Sequence, residues 1–272
     1  MNEKLKTADS HFAFGENWAS YAHLIDQSRL AKAREGLVRL LGEDGLRDKT
    51  VLDIGCGSGL HAVAAQALGA RRVLGVDIDR SSVATSRQVF ARMGTEAQCS
   101  AQECSVFELE NAGLGQFDVV YSWGVLHHTG AMHEALEKAA GMTAPGGTFV
   151  FALYRKTKLC WLWKVEKRWY AKASPTAQRM MQRLYIGMMR LAYWLLGRDF
   201  KAHLRSYKEQ RGMDFEHDVH DWLGGYPYES ISPAEVAALM GKLGFDPVRS
   251  FTRPGGWAVF GSGCDEFVFR RS

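Results

Sequence analysis

The chain has 272 residues, of which 46% are hydrophobic and 24% are charged, and its formal net charge is +4. This composition is typical of one globular domain, or of a domain with an appendage, and it excludes a fibre, a disordered tail and a mini-protein. No stretch approaches the ~20 consecutive apolar residues that a spanning helix requires, so we expect no transmembrane segment.

The cysteines and the first residues indicate a compartment. Five cysteines are an odd number and lack the density of a disulfide-stabilised secreted protein. The first six residues lack the apolar core of a secretory signal. We therefore expect a protein of the reducing cytoplasm.

Hydrophobic periodicity predicts one domain that begins with two different segments. Residues 1–47 carry an apolar stripe near helical spacing and should form a helical cover. Residues 48–154 alternate short apolar runs with helical stretches, which is the pattern of β-α-β units around a parallel sheet. A turn at Pro145–Gly147 should precede the last strand of this core. The predicted strands are 51–54, 72–76, 117–122 and 148–153, and the predicted helices are about 59–69, 81–92 and 131–143.

Residues 155–211 differ from the rest of the chain in charge. They hold 15 lysines and arginines against three acidic residues, a net charge of +12, whereas the remainder holds 19 basic and 27 acidic residues, a net charge of −8. The segment also contains four of the eight tryptophans. Within residues 176–197, helical spacing places six apolar residues on one face and three arginines on another: Met180, Met181, Leu184, Met188, Leu191 and Leu195, and Arg179, Arg183 and Arg190.

The α/β pattern returns in residues 212–272, which should complete the core. Ser232–Glu235 form a capping box with proline at the first helical position, and Gly244 is placed to end that helix. Residues 247–251 and 263–269 are predicted as strands.

The strongest local signal is the run Val51–Gly59, a buried strand that leads into three alternate glycines and then a helix. Glycine is required where a ligand presses on the backbone or where φ is positive, and the helix directs its free N–H groups at that ligand. Dinucleotide enzymes use a similar turn spelled G-x-G-x-x-G, but here the third glycine falls one residue earlier. Two acids add to the signal. Asp53 precedes the first glycine by two residues and can face a cationic amino-acid group, and Asp77, 22 residues after Gly55, can accept hydrogen bonds from both hydroxyls of a ribose.

The chain resembles the class I S-adenosylmethionine-dependent methyltransferases. The glycine run, Asp77, the run Phe117–His128 and the run Ala144–Gly147 match four landmarks of that family in order, over residues 50–153. The resemblance implies a Rossmann-like seven-stranded, mostly parallel sheet with helices on both faces, an N-terminal helical cover and a helical cap inserted after strand five. It also implies S-adenosylmethionine as the cofactor and S-adenosylhomocysteine as the product.

The resemblance also implies where the cofactor lies. Gly55, Cys56 and Gly57 would line its methionine portion, with Asp77 on the ribose and Ile78 beside the adenine. Ser105 and the backbone of Val106 follow strand three, although the aspartate often found there is missing. Trp123 would lie near the carboxylate or sulfonium end of the cofactor. Trp18 belongs to a leading segment, residues 12–21, which closes over the cofactor in the family members that act on small molecules. A nucleophilic Cys56 is the alternative to a structural thiol, because a helix N-terminus lowers a thiol pKa; we favour the structural thiol.

Methyl transfer to a hydroxyl benefits from a base, and histidine is suited to this near neutral pH. His127 and His128 follow strand four at the edge where open α/β sheets bind ligands. We expect a catalytic role for them, with a preference for His128. The alternative is that one imidazole is bound to the backbone.

A second polar cluster lies in residues 216–228, which we interpret as a loop because Gly-Gly and Tyr-Pro pairs follow its acids and histidines. His220 or Asp221 would act as base and Tyr226 as a wall for the acceptor, with Tyr21 and Tyr154 as further acceptor contacts. A divalent metal bound by His217, Asp218, His220 or Asp221 is an alternative, but the spacing fits no standard zinc motif and we assign no metal. A solvated loop that neutralises the basic segment is the other alternative.

We interpret residues 155–211 as a cap over the acceptor, because many methyltransferases carry such an insertion after strand five. A basic amphipathic helix with tryptophans could also rest on an anionic membrane, at the inner face of the cell membrane, or contribute to a homodimer. Nucleic acid is a weaker alternative, because no RNA-binding module is appended.

The sequence therefore predicts a methyltransferase acting on a small-molecule hydroxyl of a natural product, a sugar or a quinone-like or lipid-like acceptor. N- or C-methylation of a small or lipid-linked acceptor, and a cofactor-binding protein without methyl transfer, are the alternatives.

Overall fold

The structure is a computed structural model that describes residues 22–211, 215–254, 256–257 and 259–272, without the side chains of residues 206, 208–211 and 217. The predicted contacts of Trp18 and Tyr21 lie outside these residues. Among the described residues, no helix is both long and apolar enough to cross a membrane.

One seven-stranded sheet forms the centre of the molecule, in the order β3-β2-β1-β4-β5-β7-β6. All neighbouring strands are parallel except β7, which is antiparallel to both β5 and β6. The predicted sheet is thus confirmed, including its mostly parallel character. The strands are β1 Thr50–Ile54, β2 Arg72–Asp77, β3 Cys99–Glu103, β4 Phe117–Trp123, β5 Thr143–Tyr154, β6 Phe245–Phe251 and β7 Cys264–Arg271.

Helices cover both faces of the sheet, because alternate residues of a strand point to opposite sides. In β1, Val51 packs in one buried cluster with α1, α2 and α3, whereas Leu52 packs in the other with α4 and α9. The described helices are α1 Gln27–Leu41, α2 Leu60–Ala67, α3 Arg80–Met93, α4 Met132–Gly141, α5 Cys160–Tyr170, α6 Pro175–Leu195, α7 Phe200–Arg211, α8 Phe215–Gly224 and α9 Pro233–Lys242.

The capping box is confirmed at α9. The Ser232 hydroxyl accepts a hydrogen bond from the Glu235 N–H at 3.3 Å, and the Glu235 carboxylate accepts one from the Ser232 N–H at 2.9 Å. The helix ends at Lys242, just before Gly244, whose φ is 79°.

Two local predictions differ from the structure. Pro145–Gly147 lie inside β5 as a bulge, because pairing with β4 shifts between Thr143 and Thr148. The predicted loop at 216–228 is wrong in its first half, since residues up to Gly224 form α8. Glu216 and Asp218 lie in the first turn of α8, where acids stabilise the helix dipole, and Val219 and Leu223 are buried one turn apart.

The insertion forms α5, α6 and α7, and a third buried cluster joins it to the core. Helices α5 and α6 both pack on α8. The cluster is mostly aromatic and comprises Tyr154, Trp163, Tyr170, Tyr185, Val219, Leu223 and Tyr228. The end of β5 is therefore tied to the inner sides of the inserted helices.

Candidate active site

The turn after β1 folds back on the end of β2. The N–H groups of Gly55 and Cys56 both donate to the carbonyl of Val76, at 2.7 and 3.1 Å. Gly55 has a φ of 76°, and a Cβ at this position would overlap the Val125 side chain. The turn therefore requires glycine at Gly55 for two reasons, the left-handed backbone and the close approach of the loop after β4.

Asp77, the last residue of β2, has its carboxylate held by the backbone on both sides. Its two carboxylate oxygens accept hydrogen bonds from the N–H groups of Gly57 and Asp79, both at 3.0 Å. Each oxygen retains a second lone pair, so the carboxylate can also accept two hydroxyl hydrogens. Burial raises the pKa of Asp77 to about 6, although the two backbone donors oppose that shift. The group is thus ionised at neutral pH and fits the predicted role.

Asp53 lies behind the main cleft. Its side chain lines a small internal cavity with His61 and Tyr121, and those two residues also border the cleft. Oδ2 of Asp53 has no hydrogen-bond partner among the described residues, and burial, with the nearby charge of Asp77, raises its pKa to about 7. Direct contact between Asp53 and the cofactor stays a prediction, because Asp53 is absent from the described lining of the cleft.

Cys56 is a packing residue of the turn. Its thiol lies against Gly75, accepts a hydrogen bond from the Ser86 hydroxyl at 3.4 Å, and has a pKa that burial raises strongly. The thiolate required of a nucleophile is therefore disfavoured, which supports the structural interpretation.

The predicted adenine and carboxylate contacts lie along the same cleft. Ile78, Ser105 and Val106 line it beside Asp77. The Ser105 hydroxyl accepts a hydrogen bond from the Phe107 N–H at 3.4 Å, which fixes the short turn after β3. The assignment of these residues to adenine stays a prediction.

Trp123, at the end of β4, lines the cleft with its ring while its indole N–H is used elsewhere. Nε1 donates to Glu266 at 3.0 Å, and Glu266 also accepts two hydrogen bonds from Arg39 of α1. The tryptophan is therefore a fixed wall of the cleft and not a hydrogen-bond donor to a ligand.

His127 and His128 have different environments although they are adjacent. His127 is fully buried, its Nδ1 accepts a hydrogen bond from the Tyr154 N–H at 3.3 Å, and burial lowers its pKa strongly. His128 places Nδ1 2.7 Å from the carbonyl of Pro227. A carbonyl only accepts, so Nδ1 carries the proton and Nε2 has the lone pair, which is the tautomer of a general base.

The second polar cluster divides between two faces of α8. Asp218, Asp221 and Trp222 line the cleft, and burial raises the pKa of Asp218 to about 6. His220 is on the other side, where its Nδ1 lies 2.7 Å from both the Tyr170 hydroxyl and the Gln182 amide nitrogen. His220 is absent from the described lining of the cleft and joins α8 to α5 and α6, so its role as a base stays a prediction without support from this geometry.

The predicted acceptor contacts Tyr154 and Tyr226 differ in their position relative to the cleft, and their roles stay predictions. Tyr154 lines the cleft, with its ring 3.8 Å from that of His127 and 5.2 Å from that of Trp222. Tyr226 is not part of the described lining. Tyr185 of α6 also lines the cleft. No sequence pattern predicted this, because the apolar spacing of α6 marks its opposite face.

Lys167 is a second residue that no sequence pattern predicted. It is fully buried on α5, and its Nζ lies 3.5 Å from the centroid of the Trp222 ring. Nζ has no hydrogen-bond partner among the described residues, and burial lowers its pKa. It therefore lies in a cage of aromatic rings formed by Tyr154, Trp163, Trp222 and Tyr228.

These residues enclose one continuous cleft. Its volume between the described residues is about 2050 Å³, above the roughly 300–1,000 Å³ typical of a single small-ligand pocket. Asp77 ends β2 and Tyr154 ends β5, and β1 and β4 lie between these two strands, so the glycine turn with Asp77 and the cluster of Tyr154, Tyr185 and Trp222 lie at opposite ends of the lining. Because β4 lies between β1 and β5, the histidines that follow β4 come between the two ends. No group of three His, Cys, Asp or Glu side chains in the described part of the chain is arranged to hold a metal ion.

Comparisons with known proteins agree with this geometry. A family model described as a methyltransferase domain matches residues 22–250. The ribosomal protein L11 methyltransferase of Tolumonas auensis is 32% identical over 134 residues, which cover 49% of this chain and 43% of that protein. The chain thus spans less than half the length of that relative.

Two solved structures share the fold. Magnesium protoporphyrin IX methyltransferase from Synechocystis, with bound S-adenosylhomocysteine, has a TM-score of 0.54 at 15% identity and covers 90% of this chain and 84% of its own. The 1,6-didemethyltoxoflavin-N1-methyltransferase of Burkholderia thailandensis has a TM-score of 0.52 at 18% identity, covering 95% and 87%. With the glycine turn, Asp77 and the family match over most of the chain, these findings show that the chain belongs to the class I S-adenosylmethionine-dependent methyltransferases.

Proposed function

We propose that this methyltransferase transfers the methyl group to a hydroxyl of a small aromatic molecule, with His128 as the general base. The observation that carries the proposal is the Nδ1 contact of His128 with the Pro227 carbonyl, at 2.7 Å. It fixes the basic tautomer at a site between the expected cofactor and the aromatic end of the cleft.

S-adenosylmethionine supplies an electrophilic methyl group when it is bound. His128 Nε2 takes the proton of the acceptor hydroxyl as the oxygen attacks, and the Pro227 carbonyl stabilises the imidazolium through Nδ1–H. Gly225 allows this arrangement, because a Cβ there would lie 2.6 Å from His128 Cε1. The close contact limits rotation of the ring.

His127 has a positioning role in this proposal. Its lowered pKa keeps it neutral, so it adds no positive charge beside a cationic cofactor. Its ring contacts Tyr154 at a centroid distance of 3.8 Å and His128 at 4.3 Å. It therefore fixes the wall and the base relative to each other, which supplies much of the rate in an in-line displacement.

The aromatic lining of the cleft indicates which kind of acceptor it would bind. Tyr154, Tyr185, Trp222 and Phe260 present aromatic surface at the end of the cleft away from Asp77. Aromatic rings pack well in offset or edge-to-face geometry, so a planar apolar acceptor suits this surface better than a sugar.

Cofactor binding is tested by calorimetric titration with S-adenosylhomocysteine. Asp77→Ala removes both ribose acceptors and should weaken binding at least tenfold, since a hydrogen bond to a charged group contributes about 1.5–3 kcal/mol. Asp44→Asn, at an exposed acid that pairs with Arg47, is the matched control and should bind normally. Unchanged binding by Asp77→Ala would remove the assignment of the ribose site.

The base is tested with a panel of catechols and other phenols. His128→Gln should lower kcat by about 10²–10⁴ and leave the affinity for S-adenosylhomocysteine unchanged. His133→Ala, at an exposed histidine on α4, is the control. Full activity of His128→Gln on a hydroxyl that the wild type methylates would contradict the proposal.

N-methylation is the second candidate, and the acidic side of α8 favours it. Asp218 and Asp221 line the cleft and could bind a cationic amine. Methylation of arylalkylamines, which are cationic near neutral pH, but not of the matching phenols, with loss of activity in Asp221→Asn, would favour this candidate over the first.

A further inference from the structure

The outer face of α6 is apolar although it points to solvent. We use this name for Met180, Leu184, Met188, Leu191, Trp194 and Leu195, which share an arc of about 120° at 3.6 residues per turn. Their exposed fractions run from 45% for Met188 to 74% for Trp194. Tyr185 and Met189 turn toward the protein and line the cleft, so the outer face is separate from the inner side.

A continuous apolar stripe of this size needs a partner. Single exposed apolar residues are normal on a monomer, whereas contiguous patches mark interaction sites. Here the pattern repeats along the whole of one long helix, from Pro175 to Leu195. The inner side is already packed on α8, so nothing in the described fold covers the outer face.

Basic residues border the outer face. Arg179, Arg183 and Arg190 are exposed and lie together along one edge of the arc. Residues 160–195 contain seven lysines and arginines and a single acid, Glu166, which is partly buried. The surface thus combines apolar side chains with uncompensated positive charge.

Helix α5 repeats the same combination. Trp161, Leu162, Val165 and Trp169 are exposed, with exposed fractions of 44–67%. Lys164 and Arg168 lie beside them on the same helix. Its buried residues Trp163 and Tyr170 belong to the cluster that joins the insertion to the core. Two successive helices therefore have the polarity expected of helices that face an apolar partner.

We propose that the outer face of α6, with the exposed side of α5, docks on an anionic lipid bilayer. Amphipathic helices with basic residues beside leucine and tryptophan bind in the plane of the headgroup region. Tryptophan is favoured at that depth because one part of its ring is apolar and the other polar. Each lysine or arginine near an anionic surface adds to the attraction.

The positive charge of this surface argues against a second copy of the chain and against nucleic acid as its partner. A twofold dimer through this surface would bring two copies of the same basic edge into one interface, where the like charges would repel. Nucleic acid would neutralise the arginines but would leave the leucines and methionines of the outer face in water, because bases stack on aromatic rings. An anionic bilayer satisfies both the apolar and the charged parts.

The test is flotation of the full chain with vesicles of phosphatidylcholine alone and vesicles containing about one third phosphatidylglycerol, at about 0.1 M and about 1 M salt. We expect binding to the anionic vesicles that high salt weakens. Leu191→Glu should reduce partitioning at least tenfold, because it places a charge where a leucine would be buried in the docked bilayer. Val248→Glu, on β6, is the matched control with a similar exposed fraction, 51% against 55%.

Charge reversal provides a second pair of variants. Arg183→Glu should weaken binding at least about fivefold, whereas Arg72→Glu, at the start of β2, should not. All four variants are exposed substitutions and should keep the wild-type Tm. Absence of flotation would overturn the proposal, as would equal losses in the two members of either pair. A dimer that Leu191→Glu dissociates, or RNA binding that Arg183→Glu abolishes, in a protein that does not float would also overturn it.

Discussion

Replacing Gly55 by alanine perturbs the turn on which the cofactor is expected to lie, and the structure gives the cost in two parts. The backbone at Gly55 has a φ of 76°, and a left-handed conformation costs an L-residue about 1–2 kcal/mol. The new Cβ would also overlap Val125 Cγ2 and lie 2.6 Å from Cγ1. Overpacking against a stiff side chain costs about 1–3 kcal/mol. We expect Gly55→Ala to lower the free energy of unfolding by about 2–5 kcal/mol in total.

Two further variants separate these contributions. Gly113 has a φ of 66°, and no atom lies within 4 Å of the position that a Cβ would take there, so Gly113→Ala should show only the backbone cost. Val125→Ala in the Gly55→Ala background removes both Cγ atoms and should recover about 1–3 kcal/mol, as coupling between two residues in contact. Urea unfolding measures the free energy of unfolding of each variant, provided that the m-value stays constant. Titration with S-adenosylhomocysteine shows whether the turn still binds the cofactor.

Either of two results would contradict the predicted clash between the Gly55→Ala side chain and Val125. If Gly55→Ala costs no more than Gly113→Ala, the close approach of Val125 has no energetic consequence. If the effects of Gly55→Ala and Val125→Ala simply add, the two side chains do not interact in the way that the distances require.

Three other predictions concern stability. Burial raises the pKa of Asp53 to about 7, so the folded state binds more protons than the unfolded state between pH 4 and 7 and loses stability as the pH rises. Asp53→Asn removes this loss and should stabilise the protein by about 2–3 kcal/mol more at pH 8 than at pH 5, measured by urea unfolding. Burial lowers the pKa of Lys167, so the wild type should gain stability as the pH rises toward 10.5. The difference in unfolding free energy between the wild type and Lys167→Met should therefore change by up to about 1.4 kcal/mol per pH unit. A parallel pH dependence of variant and wild type would contradict either prediction. Ser232→Ala removes the cap of α9 and should cost about 1 kcal/mol in the same assay, whereas no change would mean that the cap is replaced by water.

Short-range patterns predicted the parts of the site that depend on local geometry. The spacing of the glycines and of Asp77 follows from a strand, a turn and the next strand, and these neighbours pair directly as β1 and β2. The capping box at Ser232 is equally local. The 216–228 region was misread, because its polar residues and Gly-Gly pair resemble a loop, while the packing of Val219 and Leu223 with the insertion makes its first half a helix.

The sequence by itself determined six of the seven strands, the glycine turn, the position of Asp77 after a strand and the unequal charge of the insertion, because periodicity, glycine spacing and composition are properties of neighbouring residues. Strand β3, Cys99–Glu103, was not among the strands that periodicity predicts. Only the tertiary structure decided that His220 faces α5 and α6, that Asp53 lies behind the cleft, and that Tyr185 lines it. It also decided that the outer face of α6 is the exposed one. These outcomes depend on which faces of distant helices meet, and contacts between residues far apart in the chain select those faces.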